Sequence, residues 1–210
     1  MPTLPMFPLE VAMLPGEELP LQVFEPRYSA LVETCLAAND PVFGVVLIAA
    51  GREVGGGDTR SDVGVLAHIT EYTDMGAGRY RLNCAMGDRF RVLEWHPDNP
   101  YPQAAVEMWP DEPGPAVDIT AIRDIEDRMV AVFERIAAAR AAQVNAADIV
   151  AGADESGDIG LWLYALAVRL PMGQADRYAV LTAPTAAERV AALSEGLDTV
   201  IAMVEFGLSQ

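Results

Sequence analysis

The stretch LPLQVFEPRY, residues 19–28, marks a change from one kind of secondary structure to another. Apolar and polar side chains alternate from Leu19 to Phe24, which predicts a half-buried strand. Pro26 follows, and proline favours the first turn of a helix because its fixed φ suits a helix and its missing N–H leaves no hydrogen bond unmade there. Apolar residues then recur every three or four positions, so the sequence predicts an amphipathic helix over residues 26–38.

Short strand patterns surround this helix. Pro15-Gly16 predicts a turn after the apolar stretch from Leu9 to Leu14. Further strands are predicted at residues 42–49, 63–72, 80–84, 90–95 and 103–108, with turns at Gly76-Ala77-Gly78 and Gly87-Asp88 and a glycine-rich loop at 51–62. Short strands at this spacing favour a barrel or a sandwich over a parallel sheet with crossover helices.

The pattern becomes helical beyond Trp109. The segment PDEPGP, residues 110–115, predicts a linker. Helices are predicted at 118–141, from an N-cap at Ser156 or Asp158 to Pro171, at 176–181, and after a capping box formed by Thr185 and Glu188. We therefore predict the α+β class, with a β-barrel carrying one inserted helix over residues 1–115 and an α-helical bundle over residues 116–210.

The charge of the chain excludes several classes of function. Its 210 residues include 31 acidic and 14 basic ones, for a net charge of −17. Both halves are acidic, so neither offers the basic surface that nucleic acids and anionic membranes require. Every basic residue is an arginine, and without lysine the chain can form no Walker A site, no lysine Schiff base and no Ser–Lys dyad.

Two further observations concern location. No uninterrupted apolar run reaches the roughly 18 residues that a membrane span needs. The first residues, MPTLPMFPLEV, lack the basic region of a signal peptide. We therefore expect a cytoplasmic protein.

The chain has only two cysteines and two histidines, Cys35, Cys84, His68 and His96, and none of its five serines lies in a G-x-S-x-G motif. The spacing of the cysteines and histidines matches no zinc site, which needs about four convergent ligands. The cysteines and Trp162 are expected in the core, and paired carboxylates such as Glu126-Asp127 on a solvated face. The sequence therefore predicts no catalytic residue, no metal and no cofactor.

Several motifs resemble one family in order along the chain. LPMFPL at residues 4–9, LPG at 14–16 and LPLQVFEPRY at 19–28 resemble the opening of the Lon protease N-terminal, substrate-binding domain, with Leu14 where that family usually has Phe. Weaker matches continue to Pro184-Thr185 and beyond, so the resemblance covers most of the chain. It implies a PUA-like β-barrel followed by a helical subdomain. It also implies a stand-alone substrate-binding domain without the ATPase and protease modules.

This resemblance implies a non-catalytic module that binds unfolded or peptide segments, or a protein partner, with a link to proteolysis. We expect a groove where the barrel meets the first long helix. Its candidate peptide-binding residues are Phe24, Arg27, Tyr28, Phe90 and Trp95. The acidic net charge favours neutral or basic apolar segments as ligands, and affinities on the order of micromolar are expected for a small interface.

Two alternatives stay open at the level of sequence. The run from Phe24 to Tyr28 has an architectural interpretation, in which Arg27 forms a hydrogen-bond network with Glu25 or a carbonyl group. The junction of barrel and helices is also compatible with a small-ligand-binding or hydrolytic enzyme. A deep pocket with convergent histidines or carboxylates would favour the enzyme, and a shallow apolar groove the binding module.

Overall fold

The computed structural model describes residues 3–50, 59–140, 145–153 and 157–208. The strands are β1 (Thr3–Leu9), β2 (Glu18–Val23), β3 (Val42–Ala50), β4 (Thr59–Asp74), β5 (Tyr80–His96) and β6 (Gln103–Met108). The helices are α1 (Pro26–Leu36), α2 (Ile119–Ala139), α3 (Ala146–Val150), α4 (Ile159–Arg169), α5 (Gln174–Thr182) and α6 (Ala186–Leu208). The chain divides into two compact units, Met1–Pro110 and Asp111–Gln210.

The strands of the first unit form one sheet that closes on itself. Their order is β2-β5-β4-β3-β1-β6, and β5 also pairs with β6. The strands β1, β3, β4, β5 and β6 therefore form a closed ring, which is the connectivity of a barrel. The strand β2 pairs only with β5 among the described strands, so it has a free edge. Pro20 within β2 agrees with this, because proline is tolerated at sheet edges.

The structure differs from the predicted strands in three places. One is the start of β4, which includes residues 59–62 of the predicted glycine-rich loop, while residues 51–58 of that loop lie outside the described residues. The first strand covers residues 3–9, whereas the apolar stretch from Leu9 to Leu14 lies almost wholly outside it. The predicted turn at Gly87-Asp88 is wrong, because β5 runs unbroken through it. This strand pairs with β2 and β4 in its first half and with β4 and β6 in its second, so a turn there would open the ring. Gly87 serves close packing instead, since a Cβ at this position would lie 2.7 Å from His68 Nε2.

Two apolar groups fill the first unit. One is a cluster of Met6, Val46, Phe90, Ala104 and Val106, all at most 1 % exposed. The other is aromatic, and contains Phe7 stacked on Tyr28 of α1 with ring centres 4.2 Å apart. Strand β1 contributes the adjacent residues Met6 and Phe7 to the two groups, because successive side chains of a strand point to opposite faces.

The second unit is helical, and its predicted caps are present. Asp158 caps α4 by accepting a hydrogen bond from the Leu161 N–H (3.0 Å), while Ser156 lies outside the described residues. Thr185 and Glu188 cap each other at the start of α6, with both backbone N–H···O distances 3.2 Å. The order of strands followed by helices confirms the predicted α+β class.

An ion pair inside the second unit attaches the segment that precedes α2. Arg189 of α6 is fully buried and donates to both carboxylate oxygens of Asp111, at 2.8 and 2.5 Å. Its guanidinium also lies 4.1 Å from the centre of the Tyr164 ring. The carboxylate can approach this closely because residue 160 is a glycine, whose Cβ would be 2.7 Å from Asp111 Oδ2.

The described helices include none with the combination of length and apolar composition that a membrane crossing requires.

Candidate functional site

The FEPRY run, residues 24–28, builds the first turn of α1. Pro26 occupies the start of the helix, as predicted. Arg27 Nε donates to Glu25 Oε2 at 3.1 Å, and the guanidinium lies 4.4 Å from the centre of the Tyr28 ring. The side chains of Arg27 and Glu25 are 17 % and 19 % exposed. Arg27 is therefore held between a carboxylate and an aromatic ring, which supports the architectural interpretation.

Helix α1 is also attached to the hairpin between β4 and β5. The Ser29 hydroxyl donates a hydrogen bond to the Gly78 carbonyl oxygen, and the Tyr80 hydroxyl donates to Glu33 Oε1 at 3.3 Å. Burial and the nearby carboxylates of Glu33 and Asp74 raise the pKa of Tyr80, so its hydroxyl stays a hydrogen-bond donor. Both contacts fix the hairpin beside the end of β2.

The predicted turn at Gly76-Ala77-Gly78 is present, and all three residues have positive φ, at 78°, 55° and 68°. The Gly76 N–H donates to Asp74 Oδ1 at 2.7 Å, and the Met75 N–H donates to the Arg79 carbonyl oxygen at 2.8 Å. Glycine tolerates this backbone conformation without steric cost. The turn therefore places Met75 and Arg79 opposite each other.

The pairing of three strands places several exposed side chains side by side across the sheet, and we call each such row of cross-strand neighbours a level. Gln22 of β2 pairs with Arg81 of β5, which pairs with Thr73 of β4. One level further lie Phe24, Arg79 and Met75, since Val23 pairs with Tyr80 and the Met75 N–H bonds to the Arg79 carbonyl. Arg81 thus lies on the middle strand β5, and Arg79 lies immediately before it, near the aromatic side chain of Phe24 and the thioether of Met75 in the lining of one cleft.

A half-open cleft of about 130 Å³ lies at this end of the sheet. We call it the hairpin cleft and define it by its lining residues Gln22, Val23, Phe24, Met75, Arg79, Tyr80 and Arg81. Phe24 is 62 % exposed and Met75 is 50 % exposed, so two large apolar side chains that line this cleft are accessible to a ligand. Gln22 and Val23 of β2, which pairs only with β5 among the described strands, form part of the cleft lining.

The comparisons with known proteins agree on one family. The sequence profile of the ATP-dependent protease La (LON) substrate-binding domain matches residues 3–199. This chain belongs to the LON substrate-binding domain family. The resemblance found in the sequence is therefore confirmed. No curated protein gives a significant match to the chain.

Solved structures of Lon N-terminal domains share the fold. The Lon N-terminal domain protein from Xanthomonas campestris is 24 % identical, with a TM-score of 0.64, over 93 % of this chain and 98 % of that one. The N-terminal domain of the Mycobacterium avium complex Lon protease is 14 % identical, with a TM-score of 0.66, over 94 % and 98 %. The family is the substrate-binding part of Lon and is not itself the protease domain.

In this LON substrate-binding domain, the five predicted peptide-binding residues do not form one surface. Phe90 is fully buried in the core cluster, and Tyr28 is 4 % exposed, so neither is available to a ligand. Trp95 packs against the same cluster as Phe90, at the far end of β5 from the hairpin cleft, and its Nε1 donates to Asp62 Oδ1 at 3.2 Å. Arg27 lies beside Phe24 in sequence but is engaged with Glu25.

Phe24 is thus the one predicted residue that lines the hairpin cleft. The sequence analysis missed Met75, Arg79 and Arg81. The Gly-Ala-Gly turn is recognisable in the sequence, but an exposed residue beside a turn has no periodic pattern to distinguish it. The cleft results from the pairing of β2 with β5. The sequence of either strand alone does not identify the strand with which it pairs.

The cysteines of the LON substrate-binding domain are not arranged for chemistry. Cys35 and Cys84 are free and buried, and burial raises their pKa values to about 11 and about 12. Both thiols are therefore protonated at neutral pH, and a protonated thiol is a poor nucleophile. Within the described ranges, no three His, Cys, Asp or Glu side chains gather closely enough to hold a metal ion.

Proposed function

We propose that this chain is a non-catalytic binding module that holds extended segments of unfolded polypeptide at the hairpin cleft. The family supports a substrate-binding role. The observation that carries the location is the exposure of Phe24 and Met75 in one cleft that is also lined by β2, which pairs on one side only among the described strands. The cytoplasmic location expected from the sequence stays a prediction.

The chemistry of this place suits ligands of varied sequence. A free strand edge offers backbone N–H and C=O groups, and any extended peptide can pair with them. Phe24 and Met75 add apolar contact, and methionine adapts its shape to different partners. Both contributions depend little on the identity of the bound side chains, as a domain that receives many substrates requires.

The enzyme alternative has less support. The hairpin cleft is lined by amide, apolar, phenol and guanidinium side chains, without a histidine, carboxylate or thiol among them. General acid–base catalysis at neutral pH uses those missing groups most often. A half-open cleft with a mixed apolar and polar lining and without these groups fits peptide binding better than it fits a reaction centre.

Titration with a permanently unfolded polypeptide, such as reduced and alkylated casein, tests the proposal. We expect micromolar affinity, and the casein should remain uncleaved. Phe24→Ala should weaken binding about fivefold to tenfold, the value of a partly buried aromatic side chain. Its melting temperature should change little, because Phe24 is 62 % exposed.

Leu93→Ala is the matched control, since Leu93 is 42 % exposed in the same unit but lies outside the cleft. This variant should bind casein like the wild type. Absence of binding by the wild type, or equal losses in both variants, would contradict the proposal.

A further inference from the structure

We infer that the hairpin cleft selects segments in which an Asp or Glu side chain lies two positions from a bulky apolar one, and that Arg79 and Arg81 bind the carboxylate. This inference rests on the proposed function and specifies its ligand. It differs from the expectation drawn from the net charge of −17, which favoured neutral or basic segments.

The arginines of the first unit differ in whether they form ion pairs. Arg27 and Arg60 of the first unit are paired with Glu25 and Asp98. Arg79 and Arg81 form no ion pair within the described parts of the chain, although 31 acidic residues compete for only 14 arginines. Both side chains are exposed. Arg79 Nε donates to the Gly76 carbonyl oxygen at 3.4 Å, and neither arginine is paired with a carboxylate of the described residues, so both can bind an external one.

The carboxylates nearest the hairpin are occupied by other donors. Asp74 accepts a hydrogen bond from the Gly76 N–H at 2.7 Å, and Glu71 accepts one from Asn83 Nδ2 at 3.0 Å. Glu33 accepts one from the Tyr80 hydroxyl at 3.3 Å. These contacts direct the local carboxylates toward the hairpin backbone and its neighbours, while both arginines line the cleft.

Apolar side chains line the hairpin cleft beside Arg79 and Arg81. Phe24, Met75 and Arg79 line the same cleft and lie just beyond the ends of β2, β4 and β5, next to the pairs Val23–Tyr80 and Asp74–Tyr80. In an extended peptide, side chains two positions apart point to the same side and are about 6.5–7 Å apart. A peptide alongside β2 therefore has one side chain beside Gln22 and Arg81 and the next on the same side beside Phe24, so a carboxylate directed toward Arg81 places the apolar side chain two positions away beside Phe24. An arginine fork binds carboxylates through paired N–H donors, which gives this contact directional preference.

We commit to an internal Asp or Glu side chain as the source of the carboxylate, because the cleft is half-open and is lined in part by β2, which pairs on one side only among the described strands. An open cleft lets the chain pass through in both directions. A pocket for a terminal carboxylate would instead be closed on one side.

The test uses two fluorophore-labelled peptides of about 15 residues with amidated C-termini. They are identical except for one Glu-Ser-Phe triplet, which is Gln-Ser-Phe in the second peptide. The wild type should bind the Glu peptide about threefold to tenfold more tightly, and this ratio should shrink toward one as NaCl is raised. In Arg79→Gln/Arg81→Gln, the ratio should be close to one at all salt concentrations.

Arg135→Gln/Arg140→Gln is the control, since it removes two charges from exposed arginines of the second unit. It should keep the wild-type ratio. Equal binding of both peptides to the wild type would overturn the inference and leave the proposed function standing. Binding of neither peptide, together with no binding of casein, would contradict the proposed function itself. A third peptide, the Gln version with a free C-terminus, tests the other source of a carboxylate: if it binds more tightly than its amidated form while the two amidated peptides bind equally, the internal side chain is the wrong source.

Discussion

Glu126 is a charged residue whose environment the sequence analysis predicts wrongly. The expectation is a solvated face shared with Asp127, but Glu126 is only 5 % exposed. Its Oε1 accepts from Trp162 Nε1 at 3.0 Å, and its Oε2 accepts from an Arg123 nitrogen at 2.7 Å. The burial of this position could be predicted, because residue 126 lies four residues after Ile122 and therefore on the buried face of α2. A buried carboxylate at such a position requires donors, which only the fold supplies.

Two substitutions at Glu126 should separate its hydrogen bond from its charge. Glu126→Ala leaves the indole N–H of Trp162 buried without an acceptor, so the free energy of unfolding should fall by about 2–3 kcal/mol. Glu126→Gln keeps an acceptor of the same size and should lose less than half as much. Urea denaturation of the three proteins measures both values. Equal losses in the two variants would show that charge alone matters.

At the scale of the elements, sequence patterns located most helices and strands. They failed where the extent of a strand depends on its pairing with distant segments. The helices α1, α2, α4 and α6 begin within about one residue of their predicted starts, because caps and periodicity are local signals. The sequence divides β5 at Gly87 because the ring that keeps this strand continuous is a long-range property. The same reason hid Arg79 and Arg81, whose neighbour Phe24 belongs to a segment more than 50 residues earlier.

Gly64 of β4 shows a glycine that an element needs for space. A Cβ on this residue would lie 2.2 Å from the Val45 carbonyl oxygen of β3 and 2.8 Å from the Phe90 ring. A backbone atom held in a sheet cannot move aside as a flexible side chain can. Gly64→Ala should therefore lower the free energy of unfolding by about 3 kcal/mol or more, in the range of severe overpacking.

Gly207→Ala is the contrasting change, since a Cβ at this position near the end of α6 would meet no atom of the described residues within 4 Å. Alanine favours helices over glycine by up to about 1 kcal/mol, so this variant should be as stable as the wild type or slightly more so. Thermal unfolding monitored by circular dichroism compares the two. A Gly64→Ala protein with wild-type stability would mean that β3 and β4 are further apart than the structure shows.

At the scale of the whole molecule, the charge has a global and a local consequence. The net charge of −17 keeps the chain soluble and repels anionic partners over a distance. The two arginines of the hairpin cleft act over a few ångströms, where they outweigh that field. Composition alone predicts the long-range repulsion. It also predicts neutral or basic ligands, whereas under our inference the preferred ligand is acidic, because a net charge carries no information about where the charges lie.

The global charge also predicts how stability depends on salt. Folding brings the excess carboxylates together, so their repulsion destabilises the compact state, and ions screen it. The pairs Arg60–Asp98 and Arg135–Glu205 lose some attraction in salt, but surface ion pairs contribute at most about 1 kcal/mol each. Repulsion among 17 unbalanced charges should outweigh them. Raising NaCl from about 0.01 to about 0.15 M at neutral pH should increase the melting temperature by about 2–4 °C, the equivalent of about 1 kcal/mol.

The same titration near the isoelectric point of about 4.3 is the control, since the net charge vanishes there and the increase should vanish with it. A melting temperature that falls with NaCl at neutral pH would show that ion pairs, and not repulsion, dominate the electrostatics of the folded chain.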